Sequence, residues 1–214
     1  MLGSDIKNLV IVKMEEYSPF GQDGSEPILA GGDILSEVKP IYSYIDANIV
    51  EAANEMLLIC PLHRLTSIAT DVNNAVVIQN ISDGSIGTIT KPNDWLRLHT
   101  LQMQGWRRPV HDVVFKDNPL YIYQFTEWTR GTAQKPIVTD DGNTLSYYSQ
   151  PDKSGVIVKF SYIKLFNLTI NYPLEVAELI ALNTASKVNG LFGNIEQVKQ
   201  IQAEIQSDLQ IMSN

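Results

Sequence analysis

The densest group of side chains capable of chemistry lies in one stretch, DWLRLHTLQMQGWRRPVHDVV, residues 94–114. His99 and His111 carry imidazoles, which bind metals or transfer protons near neutral pH. If the chain turns back between them, the two rings can form half of a metal site. Further ligands would come from nearby carboxylates: Asp94, Asp112 and Asp117. The alternative is two partly exposed strand histidines, because a site is recognised by converging groups rather than by residue counts.

A second group combines cations with aromatic rings: Trp106, Arg107, Arg108, Trp128 and Arg130. Guanidinium groups beside stacking rings are typical of single-stranded nucleic-acid sites. The same pairing is common at protein interfaces, where both groups serve as anchors. A sugar-binding platform built on three rings is a further alternative: Trp95, Trp106 and Trp128. We favour an interface or fold-anchoring role, because phosphate binding needs concentrated positive charge.

The net charge of −8 is distributed unevenly along the 214 residues. Residues 1–60 hold three basic and ten acidic residues, residues 61–172 hold eleven and nine, and residues 173–214 hold two and five. The acidic total counts against a general nucleic-acid binder. The mildly basic middle indicates a central module that differs chemically from the two ends.

Signatures of common enzymes and cofactor sites are missing from the sequence. There is no phosphate-binding glycine loop, no zinc-protease helix motif and no nucleophile elbow. Cys60 follows the apolar face of a predicted helix, where a free cysteine behaves as a small hydrophobic residue. No run of 18 apolar residues occurs, so we expect no membrane span. We therefore expect no enzyme activity, no cofactor and no metal.

Helical periodicity occupies both ends of the chain. Apolar residues at helical spacing predict a helix ending before Pro61: Ile49, Ala52, Ala53, Met56, Leu57 and Cys60. Asp46 is its expected N-cap, and a shorter helical piece is expected at 34–38, with Asp33 as its cap and Pro40 as its stop. A second helix is expected from Pro173 to Gly190, and a capping box at Asn194 predicts a third.

The middle of the chain has strand character. Runs rich in β-branched and aromatic residues predict strands at 75–81, 96–103, 110–115, 120–125 and 156–163. Asp141 and Gly142 predict a hairpin turn. The apolar phase shifts at His99 and Thr100, which predicts a β-bulge, and Gly105 then permits a turn.

The sequence therefore predicts an α+β fold, in which N- and C-terminal helices form an α-helical bundle and an antiparallel β-domain is inserted between them. The expected divisions are an extended arm at 1–32, bundle segments at 33–70 and 171–214, and the β-domain at 71–170. The last helix carries an apolar stripe between residues 195 and 212 and a glutamine-rich opposite face. This glutamine face is either ordinary solvent surface or a docking surface, because it is polar but nearly uncharged.

The order of several motifs resembles the head-to-tail adaptor family of tailed bacteriophages. These are ring proteins of the tail-accessory or tail-tubular type that lie beneath the portal in short-tailed phages, including the crAss-like group. The motifs span roughly residues 40–212: IDANIVEAANEMLLICPLHRL, KPNDWLRL, GWRRPV, NPLYIYQF, TRGTAQKPIV and LSYYS, followed by the closing helix pair.

The resemblance implies a virion neck protein, assembled in the bacterial host cytoplasm as a dodecameric ring. Its implied partners are further copies of itself, the portal protein and downstream tail or neck rings. It would enclose double-stranded DNA without reading sequence and would not contact a membrane. Expected subunit or ring contacts are Trp106, Arg107, Arg108, Trp128 and Arg130. Expected portal-docking residues are Gln206, Leu209, Gln210 and Met212. The alternative is a β-rich binding module for glycan or single-stranded nucleic acid.

Overall fold

The computed structural model describes residues 1–16 and 34–213, and for residues 34–40 the backbone alone. The chain divides into two compact units. The helical unit comprises Met1–Ile68 and Leu165–Asn214, and the β-rich unit comprises Ala69–Lys164. Helices at both ends and antiparallel sheets in the middle confirm the predicted α+β class with an inserted β-domain.

The helical unit is built around one central helix. Its α-helices are α1 (Gly3–Glu16), α2 (Ile34–Ile59), α4 (Leu174–Leu191) and α5 (Ile195–Ser213), and a 3-10 helix covers Leu62–Ile68. Helix α4 packs against α1, α2 and α5. Eleven of its 18 residues are buried, and they lie on every side of the helix. A helix that is apolar all round is stable only inside a core.

The buried face of α2 matches the predicted row of apolar residues, from Ile49 to Cys60. The helix ends at Ile59, just before Pro61, as predicted. Its predicted beginning is wrong, because α2 continues through both Pro40 and Asp46. A proline removes one helical hydrogen bond without having to end the helix. Asp46 lies within α2 and pairs with Lys7 of α1 at 2.5 Å instead of capping.

Polar contacts fix the pairing of α2 and α4. The Asn183 side chain donates hydrogen bonds of 3.0 Å to the Ala52 carbonyl and to Glu55. Lys187 binds Glu51 and Glu55, each at 2.9 Å. These bonds set the rotation of one helix against the other, a property that non-directional apolar burial leaves open.

The prediction of an extended arm is wrong for residues 3–16, which form α1, and residues 17–33 lie outside the described residues. The start of α1 is tied to the chain entering α4. The Gly3 and Ser4 amides donate to the carbonyls of Ile170 and Leu168, each at 3.0 Å. Ile6 and Val10 are fully buried. Because of these contacts, residues 165–170 belong to the helical unit, not to the predicted β-domain.

The β-rich unit contains two antiparallel sheets. One has the order β1-β7-β4, with strands Thr70–Asp71, Ile157–Lys164 and Trp95–Met103. The other has the order β2-β3-β6-β5, with strands Val77–Gln79, Gly87–Thr90, Thr144–Tyr147 and Val138–Asp140. The core of the unit is formed by Ile89, Leu98, Leu101, Met103, Trp106, Val138, Leu145, Tyr147 and Phe160.

The predicted irregularities of this unit are confirmed. The pairing of β4 with β7 shifts register between Leu98 and Thr100, where the bulge was expected. Gly105 has a φ of 84°, and Gly142, in the turn between β5 and β6, has a φ of 86°. Both values lie in the left-handed region that glycine enters without steric cost.

Two predicted strands are wrong. Residues 110–115 form only isolated bridges, Val110 with Leu101 and Val114 with Thr139. Residues 120–125 form the end of a short helix, α3 (Pro119–Tyr123), and the turn after it. The strand at 156–163 is confirmed as β7, although Val158 is exposed whereas Phe160 and Tyr162 are buried.

Gly3→Ala tests the docking of α1. A methyl group at Gly3 would lie 2.8 Å from both the carbonyl oxygen of Asn167 and the Cα of Leu168. Because both are backbone atoms, we expect a loss of about 1–3 kcal/mol in the free energy of unfolding, measured by urea denaturation. The control is Ser4→Ala, which changes an exposed neighbour and is expected to shift stability by less than about 0.5 kcal/mol. Equal stability of the two variants would show that α1 is not docked there.

Candidate protein-interaction surface

A run of exposed apolar side chains lies between β4 and β5 along the chain. Between residues 115 and 128, here named the apolar segment, six large side chains are exposed: Phe115, Leu120, Ile122, Tyr123, Phe125 and Trp128. Trp128 is 91% exposed. Isolated surface apolar residues are normal, whereas contiguous exposed apolar patches are often binding surfaces for other molecules.

Local chemistry explains why this segment forms α3 instead of the predicted strand. Asn118 is the N-cap, and its side chain accepts a 2.9 Å hydrogen bond from the Leu120 amide. Pro119 occupies the first turn, where its missing N–H costs nothing. The Asn-Pro signal was readable in the sequence, but the β-branched and aromatic content that follows outweighed it in the prediction.

Three polar contacts hold the apolar segment in one conformation. The Tyr121 hydroxyl donates to Asp141 at 2.6 Å, which raises the pKa of Tyr121 to about 12. Gln124, 1% exposed, accepts from the Gly131 amide at 2.8 Å. The Thr129 hydroxyl donates to the Tyr123 carbonyl at 2.7 Å. A surface held in this way loses less conformational entropy when it binds.

Arg130 ties the end of the segment to the turn between β2 and β3. Its guanidinium lies 2.9 Å from Asp83. Ser85 donates two hydrogen bonds to the same carboxylate, from its hydroxyl at 2.5 Å and its amide at 3.0 Å. These hydrogen bonds from Ser85 lower the pKa of Asp83 from its ordinary 3.8 to about 2, and the Arg130 guanidinium contributes to the same shift. Burial acts in the opposite direction and is outweighed. Arg130 therefore stabilises the segment through a contact within the same chain.

The other members of the predicted ring-contact group have different surroundings. Trp106 is 4% exposed and lies in the core, so its ring anchors the fold and offers no surface to a neighbour. The side chains of Arg107 and Arg108 are exposed, while the Arg107 amide donates to the Ala133 carbonyl at 2.9 Å. Trp95 stacks on Tyr162 with ring centroids 5.5 Å apart. Of the three tryptophans, Trp128 is the one that presents its ring to solvent.

His99 and His111 are close together, as a turn between them requires. His111 Nδ1 lies 2.7 Å from the His99 carbonyl oxygen, and His99 Nδ1 lies 3.0 Å from the Ser161 hydroxyl. Burial, followed by repulsion from His111, lowers the pKa of His99. Within the described residues, no three side chains of the types that bind metals are gathered at one place. One of the proposed carboxylate ligands is engaged elsewhere, because the Asp94 carboxylate accepts a 2.6 Å hydrogen bond from the Tyr162 hydroxyl.

The predicted portal-docking residues of α5 lie on different sides of the helix. Gln206 and Gln210 are exposed and Leu209 is half-buried. Met212 is 4% exposed and belongs to the core of the helical unit. The docking surface proposed for α5 therefore excludes the Met212 side chain. Ile211, between Gln210 and Met212, is a further exposed apolar side chain at this end of the helix.

A groove lies elsewhere on the β-rich unit, between β1, β2 and the start of β7. It has a volume of about 440 Å³. Its apolar wall is formed by Val72, Ala75, Val77, Ile157 and Val158. Two charged side chains, Asp71 and Lys159, also line it. The sequence did not reveal this groove, because its walls come from strands that are separated by about 80 positions along the chain.

Comparison of the chain with protein-family models and with curated proteins finds no match. None of the helices in the described parts of the chain is long and apolar enough to cross a membrane. Three surfaces are the candidate functional sites: the apolar segment, the groove and the exposed glutamines of α5.

Asp83→Asn tests the anchor beneath the apolar segment. The pKa of Asp83 is lower in the folded state, so its stabilising effect is present above about pH 4 and is lost as the pH falls towards 2. We expect the variant to be less stable than the parent protein by about 1–2 kcal/mol at pH 6, with the difference shrinking between pH 4 and 2. Urea denaturation across this pH range measures it.

The control for this anchor is Asp117→Asn. Asp117 is exposed, and no hydrogen bond or ion pair joins it to another described residue. We expect this change to leave the free energy of unfolding within about 0.5 kcal/mol of the parent value. A pH-independent difference for Asp83→Asn would show that its carboxylate does not hold Arg130 as described.

Proposed function

We propose that this chain is a structural protein of a bacteriophage neck, forming a ring that connects the portal to the tail. The apolar segment is the observation that carries the proposal. A ring subunit must hold its neighbours through a preformed exposed surface, and six large apolar side chains on an anchored segment supply one. The order of motifs and the confirmed α+β architecture with an inserted β-domain agree with the adaptor resemblance.

Charge gives a second line of support. The helical unit holds six basic and fifteen acidic residues, whereas the β-rich unit holds ten and nine. A ring that encloses duplex DNA must let it slide, and basic contacts to phosphates would bind the duplex tightly. Acidic helical units repeated around a channel repel phosphate. In this proposal the ring lines the DNA channel and helps to retain DNA without reading its sequence.

The proposed portal contact is the exposed end of α5. Gln206 and Gln210 present amides that donate and accept hydrogen bonds without bringing charge to an interface. Leu209, half-buried beside them, supplies apolar area. The downstream partners in the tail would then meet other surfaces of the ring.

Mixing the full chain with the cognate portal tests this function. We expect a complex that co-elutes in size-exclusion chromatography, and particles made without the chain are expected to leak DNA and to lack tails. Gln206→Lys with Gln210→Lys places two charges in the proposed contact and should weaken portal binding by roughly tenfold or more. The matched control is Gln200→Lys with Gln202→Lys, nearer the start of the same helix.

The neck assignment fails if no complex forms and if particles lacking the chain still retain DNA and attach tails. If all four glutamine positions have equal effects, the portal contact lies elsewhere than the end of α5. The two results can be distinguished, because the first tests the role of the whole protein and the second tests a single surface of α5.

The exposed pair Arg107 and Arg108 favours a second candidate, a binding module for glycan or single-stranded nucleic acid. For that function, the isolated protein would bind an oligonucleotide with an affinity that falls with salt, and Arg107→Ala would weaken it. Fluorescence anisotropy with a labelled oligonucleotide measures this binding. For a neck protein we expect no binding above that of the Arg107→Ala variant at physiological salt.

A further inference from the structure

The β-rich unit carries both a projecting apolar group and an unfilled recess. Trp128 is 91% exposed, so its ring does not fill the groove of its own subunit. The groove, about 440 Å³ in volume, is large enough for an indole. Buried tryptophans are frequent anchors of protein interfaces because one ring removes about 150–250 Å² from water.

The position of these two surfaces suits a repeated contact. The apolar segment begins after Val114, which bridges to Thr139 of β5, the outer strand at one edge of its sheet. The groove includes Val77 of β2, the outer strand at the opposite edge. A contact between two different patches of identical subunits is heterologous, and it closes into a ring when the rotation per subunit permits.

Charges beside the two surfaces are complementary. Glu127 precedes Trp128 and is exposed, and no described residue pairs with it. Lys159 lines the groove, is also exposed and has no ion-pair partner among the described residues. Lys116 of the apolar segment and Asp71 of the groove are a second pair of opposite charges, with the cation on the segment and the anion in the groove. The groove therefore presents one anion and one cation, and the apolar segment presents one cation and two anions, because Asp117 lies beside Lys116.

We propose that Trp128 of one copy of the chain enters the groove between β1, β2 and β7 of the next copy, with Glu127 facing Lys159. The inference rests on the proposed ring and names its subunit contact. Both halves lie within the β-rich unit, so each subunit can donate its tryptophan to one neighbour and accept a tryptophan from the other.

Disulfide trapping between two variant chains tests the contact. Full-length Glu127→Cys and Lys159→Cys chains are mixed under mild oxidation, and the mixed dimer is quantified by gel electrophoresis. Its formation should be roughly tenfold faster than with a control pair, Glu127→Cys and Lys135→Cys, in which the second cysteine is also exposed but lies outside the groove. Cys60, being 1% exposed, should remain unreacted in every chain.

Two further variants distinguish a specific contact of Trp128 from non-specific apolar association. Trp128→Ala in the Glu127→Cys chain should abolish the preference, while Ile81→Ala, which removes a fully exposed apolar side chain outside both surfaces, should leave it intact. Charge reversal gives an independent check by sedimentation velocity at up to about 1 mM. Glu127→Lys or Lys159→Glu alone should weaken self-association, and the two together should restore it.

Equal trapping in the groove and control pairs overturns the contact, as does failure of the double charge reversal to restore association. If the chain joins the portal in particles and trapping shows no preference, the groove contact is wrong and the neck assignment stands. If trapping is specific and particles without the chain are normal, the contact stands and the neck assignment is wrong.

Discussion

Burial of α4 on every side is the constraint on which the helical unit depends. Eleven of its 18 residues are buried, including polar ones such as Thr184 and Asn189. Burying each Leu, Ile or Val side chain contributes about 1.5–3 kcal/mol, so exposure of any side of α4 would be costly. Helices α1 and α2 from one end of the chain and α5 from the other supply the covering surfaces. The helical unit is therefore complete only when both ends of the chain have folded together.

The β-rich unit divides its apolar residues between a core and a surface. Nine buried residues form its core, and the apolar segment is not needed to fill it. Instead, the segment is fixed by polar contacts to the surrounding chain, through Tyr121, Gln124 and Arg130. Since water is excluded from few of its apolar side chains, the segment keeps free energy available for binding. A stable core and a surface kept for a partner are thus held by different kinds of interaction.

Local sequence patterns predicted several elements correctly, whereas features that depend on long-range contacts were missed. The buried face of α2, the turn at Gly142 and the bulge beside His99 were predicted, because each depends on a short pattern and a backbone preference. The start of α2 and the fold of residues 120–125 were not predicted correctly. Asp46 resembles a cap by type, and its actual partner is Lys7, 39 positions earlier. Such partners outweigh local propensity because their contacts are made only in the folded chain.

The proposed interaction surface shows the same division. Residue types alone singled out Trp128, but they also singled out Trp106, and only burial separates the exposed ring from the core ring. By itself the sequence determined the α+β class, the insertion of a β-domain between helices, and the turns where glycine must adopt a positive φ. The tertiary structure alone decided that α1 is docked, that Trp106 is buried whereas Trp128 is exposed, and that a groove joins β1, β2 and β7. The reason is physical: periodicity and glycine act over a few residues, whereas burial and ion pairing depend on residues far apart in the chain.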